Sequence, residues 1–127
     1  MSEKNKQTKT VEIVKEYRFE AAHLLSMVPS YHKCARLHGH SFKFEVHLRG
    51  EVDPELGWLI DFGDISGAVK PLVEILDHNY LNEIEGLQKP TSENIAMWLW
   101  DKIKPQLPDL VEIVVHETCT ARCSYRG

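Results

Sequence analysis

The stretch CARLHGHSFKFEVHLRG, residues 34–50, joins a cysteine, two histidines and an alternating apolar run. A β-strand sends successive side chains to opposite faces, so residues of equal parity share a side. From Ser41 onward Phe42, Phe44, Val46 and Leu48 fall on one face, while Ser41, Lys43, Glu45, His47 and Arg49 fall on the other. Carried backwards, the apolar parity takes in His40 and His38. An imidazole on a core-facing row costs desolvation unless its nitrogens find partners, and two adjacent rings point to a shared partner, most simply a metal ion. The plainer alternative puts one histidine in a core hydrogen bond and the other in the loop before the strand.

A similar run lies upstream. Val11, Ile13, Tyr17, Phe19 and Ala21 are apolar at odd positions, with Lys15 the exception, and Glu12, Glu16, Arg18 and Glu20 are polar at even ones. This predicts a second half-buried strand ending at His23, which again has the buried parity. LLSMVPSYHKCAR, residues 24–36, has no period and contains Pro29, so it reads as the loop between the two strands. Downstream, DPELG (53–57) reads as a turn and GWLIDF (57–62) as a third strand, giving a meander. Ile65, Val69, Leu72, Ile75 and Leu76 then recur at helical spacing behind Asp64 as N-cap, with Pro71 expected to kink or break the helix. A second helix begins at Thr91 or Ser92, presents Ile95, Trp98, Leu99 and Ile103 on one face and stops at Pro105. LVEIVVHET (110–118) is the last predicted strand. Its odd row of Val111, Ile113 and Val115 runs on into Glu117, a carboxylate in phase with the core.

Composition narrows the function. The 127 residues suit one domain over residues 10–127, preceded by a polar, basic tail over residues 1–9 that is expected to be disordered and carries no export signal. No apolar run approaches the roughly 18–20 residues that cross a bilayer, so the reading is a soluble protein with no membrane partner. Three cysteines cannot build a disulfide framework, which favours reduced thiols in a cytoplasmic protein. A net charge of −4 argues against nucleic acid as a partner. A small anion met by local basic residues stays compatible.

His23, His38 and His40 thus share the buried parity at adjoining strand ends. Three neutral imidazoles with a fourth position open describe a catalytic zinc site, whereas Cys34 as a fourth ligand would close it into a structural one. Asp77-His78 could relay a proton for a Cys34 thiolate, or simply decorate a helix C-terminus. Glu117 is either paired with a buried cation or offered to a ligand, for which a pterin's amino-pyrimidinone edge would satisfy both oxygens. Cys119 and Cys123 read as buried thiols. His32, His47 and His116 read as surface histidines without partners.

The blocks FEAAH, CARLHGH, GWLIDFGDI, LDHNYLN, PTSENIA and ETCTARCSYRG, in this order between Tyr17 and Gly127, resemble the 6-pyruvoyltetrahydropterin synthase superfamily, most nearly its 6-carboxytetrahydropterin synthase branch in queuosine biosynthesis. The resemblance implies an α+β architecture, the tunnelling fold (T-fold). This is an antiparallel four-stranded sheet with two helices packed on one side, oligomerising into a barrel, commonly a hexamer built as a dimer of trimers with sites between subunits. It further implies Zn2+ on His23, His38 and His40, Cys34 as proton-abstracting base, Asp77 and His78 supporting it, and Glu117 anchoring the pterin. The implied carbon–carbon lyase reaction turns 7,8-dihydroneopterin triphosphate into 6-carboxytetrahydropterin, acetaldehyde and triphosphate. Lys33, Arg36, Arg122 and Arg126 are the nominees for the triphosphate. The pyruvoyl-forming and aldolase relatives remain alternatives within the superfamily. A cupin reading of HGHSFKFE fails on parity, because Glu45 faces away from His38 and His40. A non-enzymatic zinc-stabilised module, closed by Cys34, is the reading of a different class.

Overall fold

The computed structural model describes residues 9–127. The tail expected over residues 1–9 lies outside these except for Lys9, whose carbonyl accepts from Val52 N–H at 2.9 Å. Two long strands, β1 (Thr10–His23) and β2 (His38–Glu51), are followed by helices α1 (Phe62–Leu76) and α2 (Ser92–Ile103) and by strands β3 (Leu110–Thr118) and β4 (Ala121–Tyr125). The strands form one antiparallel sheet in the order β1-β2-β3-β4. Both helices cover the face to which the apolar rows point. Tyr17, Phe19, Phe42, Phe44, Val46 and Leu48 are buried there with Ile65, Val69, Leu72, Ile95, Leu99 and Ile103. Cross-strand ring pairs bind β1 to β2, Phe19 on Phe42 at 4.9 Å and Tyr17 on Phe44 at 5.4 Å between centroids.

Several expectations are corrected. Residues 57–60 are a bend, because their hydrogen bonds close locally. Asp53 N–H donates to the Trp58 carbonyl at 2.8 Å, the Asp53 carboxylate accepts from Glu55 and Leu56 N–H, and Gly57 takes a φ of +78°. Leu59 and Ile60 still pack on the core. The strand that completes the sheet is instead β4, which returns from Thr118 through a tight turn. Helix α1 starts one turn earlier than expected. Its N-cap is Asp61, whose carboxylate accepts from Gly63 N–H at 2.8 Å, while Asp64 sits in the first turn, where negative charge complements the helix dipole. The helix continues across Pro71, and the carbonyl its missing N–H cannot meet belongs to Gly67. Ile75, expected on the buried face, is 44% exposed. Of the two caps expected, Thr91 or Ser92, it is Thr91 that caps α2, accepting from Asn94 N–H at 3.1 Å.

The sheet carries two register shifts in β3. Opposite His47 and Leu48 the pairing skips Val111, so Leu110 takes the buried place that parity gave to Val111. Opposite β4 the pairing skips Glu117, which becomes the extra residue of a bulge.

Candidate metal centre and catalytic groove

Register brings the three histidines together. His23 and His38 are direct partners across β1 and β2, and His40 pairs with Ala21. On the helix-covered side the ring centroids are 4.5 Å apart for His23 and His38, 4.8 Å for His38 and His40, and 5.2 Å for His23 and His40. One nitrogen from each ring lies within 4.8 Å of the other two. Two rings are oriented by backbone carbonyls: His23 Nδ1 meets the Pro90 carbonyl at 2.7 Å, and His38 Nδ1 meets the Arg36 carbonyl at 2.7 Å. A carbonyl only accepts, so each Nδ1 donates its N–H, and in the neutral tautomer this leaves the Nε2 lone pair available to a ligand.

This donor set fits a metal ion. His23 is fully buried, and its Nε2 has no hydrogen-bond partner among the described residues. A buried polar atom left in that state costs free energy, which coordination would remove. Backbone carbonyls holding the far nitrogens are the supports that metal-ligating histidines use. Burial, ahead of the opposing pull of Glu117, lowers the His40 pKa, and the neighbouring His23 and His38 act in the same direction, so the neutral, ligating form is favoured. His23, His38 and His40 are therefore brought together as their parity predicted. The carbonyls of Arg36 and Pro90 were missed, since nothing in a sequence marks a backbone oxygen as a ring support.

Glu117 leans over this cluster. Its Oε1 lies 3.3 Å from His23 Nε2, without hydrogen-bond alignment, and 3.6 Å from His40 Nε2. The His23 ring, more than opposing burial, holds the Glu117 carboxyl below its ordinary value. The same carboxylate lines a depression of about 360 Å³ with Ser92, Glu93, Ala121, Arg122 and Cys123. The bulge in β3 gives Glu117 its position between histidines and depression.

Asp77 and His78 follow the end of α1. Asp77 is the C-cap, and His78 has a φ of +58°, the left-handed turn that glycine usually supplies after a helix. The turn is fixed from β1, with Asp77 Oδ1 accepting from Glu20 N–H at 2.8 Å and His78 N–H donating to the Glu20 carbonyl at 2.5 Å. Asp77 Oδ2 holds His78 Nδ1 at 2.9 Å. The ring is otherwise exposed, in an open groove of about 530 Å³ lined by Glu20, Ala22, Gly39, His40, Ser41 and Tyr80 among others. His40 and His78 thus share one groove.

Cys34 stands apart from this pair. It sits in a 3-10 turn, Lys33–Ala35, capped by His32, whose Nδ1 accepts from Cys34 N–H at 3.0 Å. The Cys34 carbonyl accepts from Leu25 N–H at 2.7 Å, and the thiol makes no hydrogen bond among the described residues. Lys33 and Arg36 flank it in sequence, whereas Arg126 is engaged elsewhere by Glu112 at 2.9 Å. Three further readings change. Cys119 is exposed in the turn before β4, not buried. Cys123 is half-buried, and burial followed by the charge of Glu93 raises its pKa. His47 and His116, like His32, have partners: the first two share Glu45, at 2.8 Å and 2.5 Å.

Fold and cluster together define a T-fold protein with three imidazoles gathered at one end of its sheet. Residues 12–127 match the family described as 6-pyruvoyl tetrahydropterin synthase. The chain is 42% identical over 120 residues to a 6-carboxy-5,6,7,8-tetrahydropterin synthase of Synechocystis sp., covering 89% of this chain and 91% of that one. It is 36% identical over 101 residues to a dihydroneopterin monophosphate aldolase of Pyrococcus furiosus, covering 80% and 82%. The structure of Caenorhabditis elegans 6-pyruvoyl tetrahydropterin synthase superposes with a TM-score of 0.87 at 27% identity, covering 94% of this chain and 96% of that one. The protein belongs to the 6-pyruvoyl tetrahydropterin synthase family and is an enzyme.

Proposed function

We propose that this enzyme converts 7,8-dihydroneopterin triphosphate and one water into 6-carboxytetrahydropterin, acetaldehyde and triphosphate, a step towards 7-deazaguanine nucleosides such as queuosine. The observation that carries the reading is the convergence of His23, His38 and His40 with an orphaned, buried His23 Nε2. These three residues would hold Zn2+. When bound, the ion supplies Lewis-acid polarisation of side-chain oxygens and so acidifies the neighbouring C–H bonds.

Each remaining role belongs to the chain. Cys34, as thiolate, takes protons from the substrate side chain and returns them to the ring. His78, with Nδ1 held by Asp77, keeps Nε2 free in the groove it shares with His40 and passes the proton on. Glu117 accepts two N–H groups from the pterin's amino-pyrimidinone edge, with its pull on the histidines weakened once they ligate. Hydrogen moves from side chain to ring, so the reduction is internal, and the water supplies the second oxygen of the new carboxylate. Identity of 42% to a 6-carboxytetrahydropterin synthase supports this branch over the pyruvoyl-forming one.

The working unit in this reading is a homo-oligomer, a hexamer of two stacked trimers in the cytoplasm. Among the described residues the outer edge of β4 and most of that of β1 carry unpaired backbone groups, and pairing one with the other in a neighbouring copy would close a barrel. Cys34 does not line the groove of His78 within one chain, and in this reading the two would meet across an interface. No helix among the described residues is long and apolar enough to cross a membrane.

Removal of the thiol tests the division of labour. Cys34→Ala should keep its zinc and bind a stable pterin analogue while losing turnover by about 100-fold or more, as for a lost general base. A metal-free Cys34→Ala protein would instead favour a structural site closed by the thiol.

A further inference from the structure

The helix-free face of the sheet carries a second convergence of ligand atoms, remote from the three histidines. Glu12 on β1, His47 on β2 and Glu112 on β3 each offer one donor atom within 4.8 Å of the other two. His47 and Glu112 are direct cross-strand partners, and Glu12 reaches over from two residues along β1. The register shift in β3 falls beside this pair. His47 Nδ1 lies 3.1 Å from Glu12 Oε1 and 3.7 Å from Glu112 Oε1.

The far sides of His47 and Glu112 are already occupied. Glu45 Oε1 accepts from His47 Nε2 at 2.8 Å, which fixes the ring and leaves Nδ1 to face the two carboxylates. A carboxylate on the remote nitrogen is the support typical of a metal-ligating histidine, and it raises the basicity of the ligating atom. Arg126 takes Glu112 Oε2 at 2.9 Å, which leaves Oε1 turned toward His47. Glu45 is itself held by His116 at 2.5 Å. His47 and Glu112 are each only 14% exposed at the side chain. Glu12, Glu45 and Glu112 set three carboxylates against the one guanidinium of Arg126, and against the opposing effect of burial the hydrogen bonds of Glu45 and Glu12 raise the His47 pKa, so the cluster favours added positive charge.

We propose that Glu12, His47 and Glu112 form a second metal site for a divalent first-row transition ion on the open face of the sheet. One imidazole and two carboxylates suit zinc, manganese or iron(II). The ion takes the place of the proton on His47 Nδ1 and leaves the Nε2–H bond to Glu45 intact. It clamps β1, β2 and β3 on the side the helices do not cover.

Zinc itself is the probe, counted per chain after equilibrium dialysis at graded free zinc. The native chain should hold one equivalent more than His47→Gln, and Glu12→Gln should weaken that extra equivalent by about 10-fold or more. The thermal midpoint gives a second reading. Zinc should raise it further in the native chain than in His47→Gln, because only the native chain gains the three-strand clamp. His47→Gln keeps His23, His38 and His40, so its remaining zinc reports on that cluster separately. Equal counts in the two proteins, or an extra equivalent that survives His47→Gln, would overturn the proposal.

Discussion

Glu117 shows how much one inserted residue decides. Parity placed it on the core row. The structure reaches a similar end by another route, a bulge that sets the carboxylate above His23 and His40 and opens it to a depression beside α2. Two roles compete for it, pterin anchor and charge partner of the histidines. Glu117→Gln should weaken binding of a stable pterin analogue by about 1.5–3 kcal/mol, the range for a hydrogen bond to a charged group, with zinc content unchanged. Calorimetry reads the first and metal analysis the second. Lower zinc with unaltered pterin affinity would assign Glu117 to the metal centre. Asp77 makes a separate case. The Glu20 N–H first and His78 next hold its carboxyl below the ordinary 3.8. A depressed folded-state value contributes stability that is complete above the unfolded value and fades as pH falls through the folded one. Asp77→Asn should therefore be less stable than the native chain near neutrality, with the gap closing below about pH 3.8. Urea unfolding at several pH values would show this, and a gap independent of pH would contradict it.

At the scale of elements, the strand-to-strand register does what no single strand can. Alternation along β1 and β2 was legible because each has one apolar face, and it put His23, His38 and His40 on that face before any pairing was known. Thr91 was legible as a cap for the same local reason. The partners of His47 and His116 were not, since Glu12, Glu45 and Glu112 reach them only once three strands are aligned. Strand β4 escaped notice because five residues carry too little alternation, and GWLIDF mimicked a strand while its hydrogen bonds stayed local. The end of α1 holds local strain at the residue proposed for the proton relay. His78 adopts the left-handed conformation with a β-carbon present, at a cost of about 1–2 kcal/mol that glycine would avoid. His78→Gly should thus fold with stability within about 1 kcal/mol of the native chain, the gain from relieved strain offsetting the lost Asp77 contact and the added chain entropy. Its turnover should nevertheless fall sharply. Denaturant unfolding beside steady-state rates measures both, and full activity in His78→Gly would remove the ring from the proton relay.

For the whole molecule, one sheet presents two chemical faces. The helix-covered face holds the aromatic core and, at its open end, three imidazoles, of which the buried His23 has no hydrogen-bond partner for Nε2 among the described residues. The other face is largely polar, with Val14 and Val114 among its apolar members, and carries Glu12, His47 and Glu112, while the His78 groove opens along the β1 edge. Most of this arrangement follows from two phased strands. Assembly does not, because the edges that would pair between copies read in sequence like any other edge. In the proposed reaction, pairing of those edges would bring Cys34 and His78 together, and the outcome would depend on where the Cys34 thiol stands. A displacement of even about 1 Å changes rates by orders of magnitude and can select which bond breaks. The most direct measurement is mass spectrometry of an anaerobic incubation of the zinc-loaded enzyme with 7,8-dihydroneopterin triphosphate, with the released aldehyde trapped. The account predicts 6-carboxytetrahydropterin, triphosphate and trapped acetaldehyde in equal amounts. Accumulation of 6-pyruvoyltetrahydropterin with no trapped acetaldehyde would contradict it.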